Sequence, residues 1–388
     1  MRRGYWKWNK LAIGVLLPLL MIFSCFSLDV YADEVSIEQM PTGYSEAVDI
    51  IDDATDVGLP QGIYSDNVDE TAEAIEQMSG AEYLLNFISE TVGAELGSSL
   101  KLFAKLCGLL LMAAVFGAIR TSFGSDALSG AVRFCTSSAI FAAIIYIQID
   151  HLQGVQVYFE RLSTLMNSII PITGTVWAMG GNVTTASVGT STFYIFLTVC
   201  ENLCARTVMP VCCFCTAISL CSALSPDIGL GGFSGAIKKI YTFTIGLIMT
   251  VLVASLGAQT TLSAAADSTT ARAARTVSSA VIPIVGGAVG DTLRTVAAGV
   301  GYLKSVVGIG GIIFVILLVL PVLLSLIMTR LAFLLATGVA DMLGCDTERR
   351  LISELGGIYG CMIAAVAMSA VMFILGLNIF VKTVVAVG

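Results

Sequence analysis

VVGIGGIIFVILLVLPVLLSLIMTRLAFLLATGVA runs from Val306 to Ala340 and carries a single charge, Arg330. As one helix it would measure about 50 Å, against a hydrocarbon core of about 30 Å. A run this apolar on every face belongs in a membrane or at the centre of a bundle. The rest of the chain agrees. Of 388 residues, 56% are hydrophobic and only 12% are charged. Mean hydropathy is +0.89, and soluble domains carry about twice that charge. The composition predicts an all-α, polytopic helical membrane protein. A β-barrel would show short alternating segments instead. The net charge of −8 and the lack of a basic stretch with interleaved aromatics argue against nucleic-acid binding.

Further apolar runs set the organisation. Leu100–Ile119, Phe134–Ile149 and Ile240–Leu256 read as spans, as does Ile358–Val381 at the end of the chain. Thr190–Ser222 is a second overlong stretch, interrupted by Pro210. Between Ile149 and Pro171 the charged residues Asp150, His151, Glu160 and Arg161 read as a break between spans.

The N-terminus reads as a targeting signal. Arg2, Arg3, Lys7 and Lys10 precede an apolar run, and Val30-Tyr31-Ala32 offers a cleavage site after Ala32. An uncleaved anchor is the alternative. Residues 33–99 hold no Lys or Arg and many acids, as a translocated segment tolerates. Helical spacing begins near Val68, with a second amphipathic helix expected over Ala81–Leu96. The division is thus residues 1–32 as signal peptide, 33–99 as an acidic extracytoplasmic region and 100–388 as the membrane domain.

No cysteine falls in residues 33–99, so a secreted disulfide framework is not expected. Cys200, Cys204, Cys212, Cys213, Cys215 and Cys221 share one apolar stretch. No His or carboxylate cluster accompanies them, so they read as small apolar packing residues, and neither metal nor cofactor is expected. His151, the single histidine, reads as solvated at a membrane edge.

Four prolines give the membrane part its pattern. Pro171 stands in Ile-Ile-Pro-Ile and Pro283 in Val-Ile-Pro-Ile, each followed three residues later by glycine, Gly174 and Gly286. Pro210 stands in Val-Met-Pro-Val and Pro321 in Val-Leu-Pro-Val. The matching spacings suggest two parallel copies of one unit, about 128–224 and 233–345. Within SSAVIPIVGGAVGDTL (Ser278–Leu293), Pro283 is joined by Gly286, Gly287 and Gly290. Proline removes a backbone donor and clashes one turn back, so re-entrant or proline-broken segments are expected, and such breaks point to a pore or transport region. Close helix packing through Gly286-x-x-x-Gly290 is the other reading. Intramembrane charge is the second clue. Glu201, Arg206 and Arg330 should face protein or water, or snorkel to a membrane edge, and Asp291, Arg294 and Lys304 should lie at an interface. Glu201 and Arg206 diverge by about 140° on a regular helix, so either the helix is irregular near Pro210 or each meets another segment. Arg120, Arg133, Lys238, Lys239, Arg349 and Arg350 mark the cytoplasmic ends.

The run ADSTTARAARTVSSAVIPIVGGAVGDTL from Ala266, with GYLKSVVGIGG, Val208-Met209-Pro210-Val211, the signal peptide and the acidic region, resembles the stage III sporulation protein AE family of endospore-forming bacteria. The resemblance covers roughly residues 80–388. It implies a place in the apparatus joining mother cell and forespore after engulfment, on the mother-cell side in the outer forespore membrane. It also implies partners from the same operon, an ATPase and ring-forming subunits. It carries over no catalytic residue, and there is no Walker A pattern. The expectation is a membrane-embedded channel or export-platform subunit, not an enzyme. A self-sufficient secondary transporter of a small solute or ion is the alternative, and a scaffold anchoring partners is a third reading.

Overall fold

The computed structural model describes residues 44–55, 62–63, 65, 67–123, 126–224, 231–281 and 286–382. Among these there is no strand. The elements are α1 (Tyr44–Thr55), α2 (Val68–Ser79), α3 (Ala81–Phe123), α4 (Asp126–Met179), α5 (Val183–Cys200), a π turn (Glu201–Ala205), α6 (Arg206–Leu224), α7 (Gly231–Val281), α8 (Gly286–Met342) and α9 (Asp346–Lys382). Six helical stretches are long and apolar enough to cross a membrane. The expected signal peptide and Pro283 lie outside the described residues.

Local chemistry sets the ends. Asn67 caps α2 by accepting from the Asp69 N–H at 3.0 Å, and Asp69 and Glu70 sit in its first turn. Two turns between long helices use glycine with positive φ. At the end of α4, Gly181 has φ 76°, and Asn182 N–H donates to the Trp177 carbonyl at 3.0 Å. At the end of α8, Gly344 has φ 68°, and Cys345 N–H donates to the Ala340 carbonyl at 3.0 Å. Both are Schellman closures, which reverse the chain while satisfying terminal carbonyls.

The centre is the antiparallel pair α8 and α9. In their most apolar stretches 72% of α9 and 61% of α8 is buried, against 22% of α3 and 17% of α7. Phe333, Tyr359, Phe373 and Phe380 fill the seam. The other helices surround this pair. On one flank, α1 packs Tyr44, Ala47, Val48 and Ile51 inward while Glu46, Asp49, Asp52 and Asp53 face out. Ile75 of α2 and Tyr44 both reach Gly310 of α8, where an added Cβ would lie 2.8 Å from each. Elsewhere, α7 exposes Ile240, Phe243, Leu247 and Val251 as an apolar stripe.

Two expectations about spans are corrected. The amphipathic helix expected over Ala81–Leu96 and the span Leu100–Ile119 are one helix of 43 residues. Likewise Phe134–Ile149, the charged stretch and the Pro171 segment form one helix of 54 residues. Leu152, Val155, Tyr158, Leu162, Leu165 and Ile169 recur at helical spacing on its buried face, so Asp150 and Glu160 simply occupy the outer face.

The apolar runs do not lie at one level. The Cys345 thiol meets the Leu110 carbonyl at 3.9 Å, and Thr136 donates to Glu348 at 2.9 Å. The middle of the apolar run of α3 and the start of that of α4 therefore sit beside the α8–α9 turn. The apolar run of α9 begins 13 residues after Cys345, at Ile358, about 20 Å further along the axis. The far half of α3 reaches past the turn with Leu111, Met112, Val115 and Phe116 exposed.

Candidate functional site

The prolines are not where the described helices break. Pro171 lies inside α4, Pro210 inside α6 and Pro321 inside α8. Near Pro171, the Thr173 and Thr175 hydroxyls donate to the Ile170 and Ile172 carbonyls at 2.7 and 2.8 Å. Those bonds do not replace the donor lost at Pro171, which frees the Asn167 carbonyl; the buried packing of Ile169, Ile170 and Ile172 is the device that keeps this segment helical. The second device precedes Pro210, where the π turn spans Glu201–Ala205 and the Thr207 hydroxyl bonds the Leu203 carbonyl and Tyr241. The helix is thus irregular between Glu201 and Arg206. Arg206 is exposed.

Gly174 has a packing role. An added Cβ would lie 2.5 Å from Thr190 Cγ2, so its lack of a side chain lets α4 and α5 approach. Gly189 does the same for Trp177, whose ring would be 2.1 Å from such a Cβ. Gly286, Gly287 and Gly290 belong to the first turns of α8. Lys304 is buried, its ammonium 5.8 Å from the centre of the Phe380 ring.

Polar contacts between distant helices form three nodes. At the first, His151 Nδ1 lies 2.9 Å from the Tyr359 hydroxyl and Nε2 lies 3.2 Å from Ser325 Oγ, so α4, α9 and α8 meet at one imidazole. Tyr359 is fully buried and its ring packs edge-on against Phe333. This corrects the expectation of a merely solvated histidine. The partners are 208 and 174 residues away in sequence, which no local pattern announces. Tyr158 adds a contact to Ser369 at 3.0 Å on the same pair of helices, α4 and α9.

At the second node, Asp267 of α7 accepts from Thr184 N–H at 3.1 Å and from Thr185 N–H and Oγ1, both at 2.8 Å. Two free amides of the first turn of α5 are capped by a residue from another helix. Asp267 is 6% exposed. At the third, Lys238 of α7 donates to Glu354 of α9, to its carboxylate at 2.6 Å and its carbonyl at 3.1 Å. Gly357, one turn on, makes room: an added Cβ would sit 2.9 Å from Lys238 Nζ.

Arg330 projects from α8 against Gly360 of α9, where an added Cβ would lie 3.4 Å from the guanidinium carbon. It is half-buried and makes no hydrogen bond or ion pair with another described residue. The cysteines divide by side. Cys200, Cys204, Cys212 and Cys215 are buried in the core, whereas Cys213 and Cys221 face outward. Among the described residues no group of His, Cys, Asp and Glu could hold a metal ion.

The class of protein is now defined: a multi-pass helical membrane protein whose long helices are tied together by polar nodes. Over residues 66–384 the chain matches the stage III sporulation protein AE family, and it belongs to that family. It is 19% identical to the stage III sporulation protein AE of Bacillus subtilis (strain 168) over 281 residues, 71% of this chain and 70% of that protein. No solved structure matches it.

Proposed function

We propose that the chain is a membrane-embedded channel or export-platform subunit of the complex joining mother cell and forespore, acting after engulfment. The observation that carries this reading is an acidic helical flank joined to a body of long apolar helices. One flank carries α1, α2 and the start of α3, with exposed Asp69, Glu70, Glu73, Glu76 and Glu82 and no basic residue from 44 to 100. The long helices α3, α4, α5 and α7 expose large apolar residues, as lipid contact requires. An acidic flank suits contact with water and with cationic partner surfaces. The partners are the ATPase and ring-forming subunits of the same operon, and the membrane is the outer forespore membrane seen from the mother cell. Energy comes from those partners, and the chain itself is not an enzyme.

The parallel repeat over about 128–224 and 233–345 supports a shared scaffold for the two halves. The transporter alternative loses ground because Pro171, Pro210 and Pro321 lie inside helices, leaving no discontinuous pair of segments at matching described positions. An in-frame deletion in the source organism tests the reading, followed by microscopy and heat-resistant spore counts. Arrest after engulfment with normal vegetative growth is expected. Normal spores with a vegetative uptake or efflux defect would overturn it. Cysteine accessibility along Ser278–Leu293 then tests whether that stretch lines the passage.

A further inference from the structure

Between α7 and α9 lies an open groove of about 540 Å³, lined in part by Lys238, Lys239, Thr242, Phe243, Gly357 and Gly360. Its α9 wall is glycine, and the room so left is taken by the charged ends of Lys238 over Gly357 and Arg330 over Gly360. Its charge is positive. Lys238 is paired with Glu354, Lys239 points out unpaired among the described residues, and Arg330 of α8 lies against the lining residue Gly360 without a carboxylate partner among them. Two cations thus stand beside this cleft without counter-ions among the described residues, and the half-buried one, Arg330, is the more costly to leave uncompensated.

The groove continues into an apolar surface. Phe243 at its edge is 69% exposed, and Leu247 and Val251 extend the same stripe along α7. Cations at one end and an open apolar stripe leading away match a lipid with an anionic headgroup and chains lying along the helix. Basic pockets between membrane helices bind such headgroups. A free phosphate would use the cations but leave the stripe without purpose.

We propose that the α7–α9 groove is a binding site for an anionic phospholipid, with the headgroup phosphate held by Lys239 and Arg330 beside the Lys238–Glu354 pair and an acyl chain lying on Phe243 and Leu247. This site is independent of what the protein exports or anchors. The lipid completes the charge balance between α7 and α9 and seals the apolar face of α7.

The test places a tryptophan in the groove of the full chain, Phe243→Trp, reconstituted in mixed phosphatidylglycerol and phosphatidylcholine vesicles. Quenching is compared when one or the other lipid carries brominated chains. A preference for phosphatidylglycerol of roughly fivefold or more is expected, the worth of about one cation. A tryptophan at Leu262, exposed on the same helix away from the cluster, should show none. Lys239→Gln combined with Arg330→Gln should abolish the preference. Lys239→Gln alone alters an exposed side chain, so the fold is kept, and it should weaken the preference. Equal quenching by both lipids at position 243, or equal preference at 262, overturns the proposal. So does retention of the preference in the double variant. Loss of the preference on adding inorganic phosphate at constant ionic strength would assign the site to free phosphate and also overturn it.

Discussion

Asp267 near the end of α7 caps the start of α5 through Thr185, accepting both its amide and its hydroxyl at 2.8 Å. A helix start is thereby fixed by a residue 82 positions away. The carboxylate lies inside the ADSTT run that carries the family resemblance, so part of that run has a structural task.

Asp267→Ala should destabilise the protein by about 1–3 kcal/mol, because buried donors are left without an acceptor. Asp267→Asn retains one acceptor oxygen and should cost less. Thermal unfolding in detergent, followed by loss of the helical signal, checks the order Ala worse than Asn.

Glycines predict opposite outcomes according to what surrounds them. Gly189→Ala should cost about 1–3 kcal/mol, because the new methyl group meets Trp177 in the α4–α5 contact. Gly93→Ala lies in α3 with nothing within 4 Å of the added carbon. It should be neutral or stabilise by about 0.4–1 kcal/mol. The same unfolding assay run on both variants reads the difference in sign.

Tyr359→Phe removes one of the two polar partners of His151 and should cost about 0.5–1.5 kcal/mol. Ser325→Ala removes the other across 3.2 Å. A double-mutant cycle should give a nonadditive term for these two changes, since both act through one imidazole. Strict additivity would mean that the three helices are not joined there.

Tyr44→Phe should cost nothing or stabilise slightly. The Tyr44 hydroxyl is buried with no partner among the described residues, and burial pushes its pKa above the ordinary phenol value. The phenol is therefore neutral at working pH in the folded protein. Removing an unpaired buried hydroxyl relieves a desolvation cost. Equilibrium unfolding from pH 6 to 8 should show no change in the Tyr44→Phe difference.

The helical membrane class was legible because apolar runs such as Val306–Ala340 recur along a chain with only 12% charged residues. The continuity of α4 was not. Asp150, Glu160 and Arg161 resemble a loop in composition, yet their spacing leaves Tyr158, Leu162 and Leu165 on one buried face. The prolines misled for a related reason. Counting the lost backbone bond at Pro171 predicts a break, whereas buried packing of Ile169, Ile170 and Ile172 and the close approach of Gly174 to Thr190 of α5 keep the helix whole. Gly174 was singled out beside Pro171 as a place where the helix breaks, whereas its close neighbour Thr190 comes from another helix, which no local pattern announces. His151, Tyr359 and Ser325 could not be grouped from sequence, because nothing local links positions 151, 325 and 359. Lys238 was read as an orientation marker, and its partner Glu354 lies 116 residues on.

The exposed stripe of α7, which runs level with α9 through Gly246 at Met368 and Gly257 at Ile379, is offset from the apolar run of α3, and this has a consequence for the lipid around the protein. A flat bilayer cannot wet two belts about 20 Å apart in height with one hydrocarbon slab. Mismatch costs fractions of a kcal/mol per Å and is met by tilt, local thickening or association. Copies placed side by side with the higher belt of one against the lower belt of the next would remove that cost by covering it. A closed ring of such copies would instead make the membrane rise on one side of every subunit and fall on the other, so the bilayer would slope at the ring's edge.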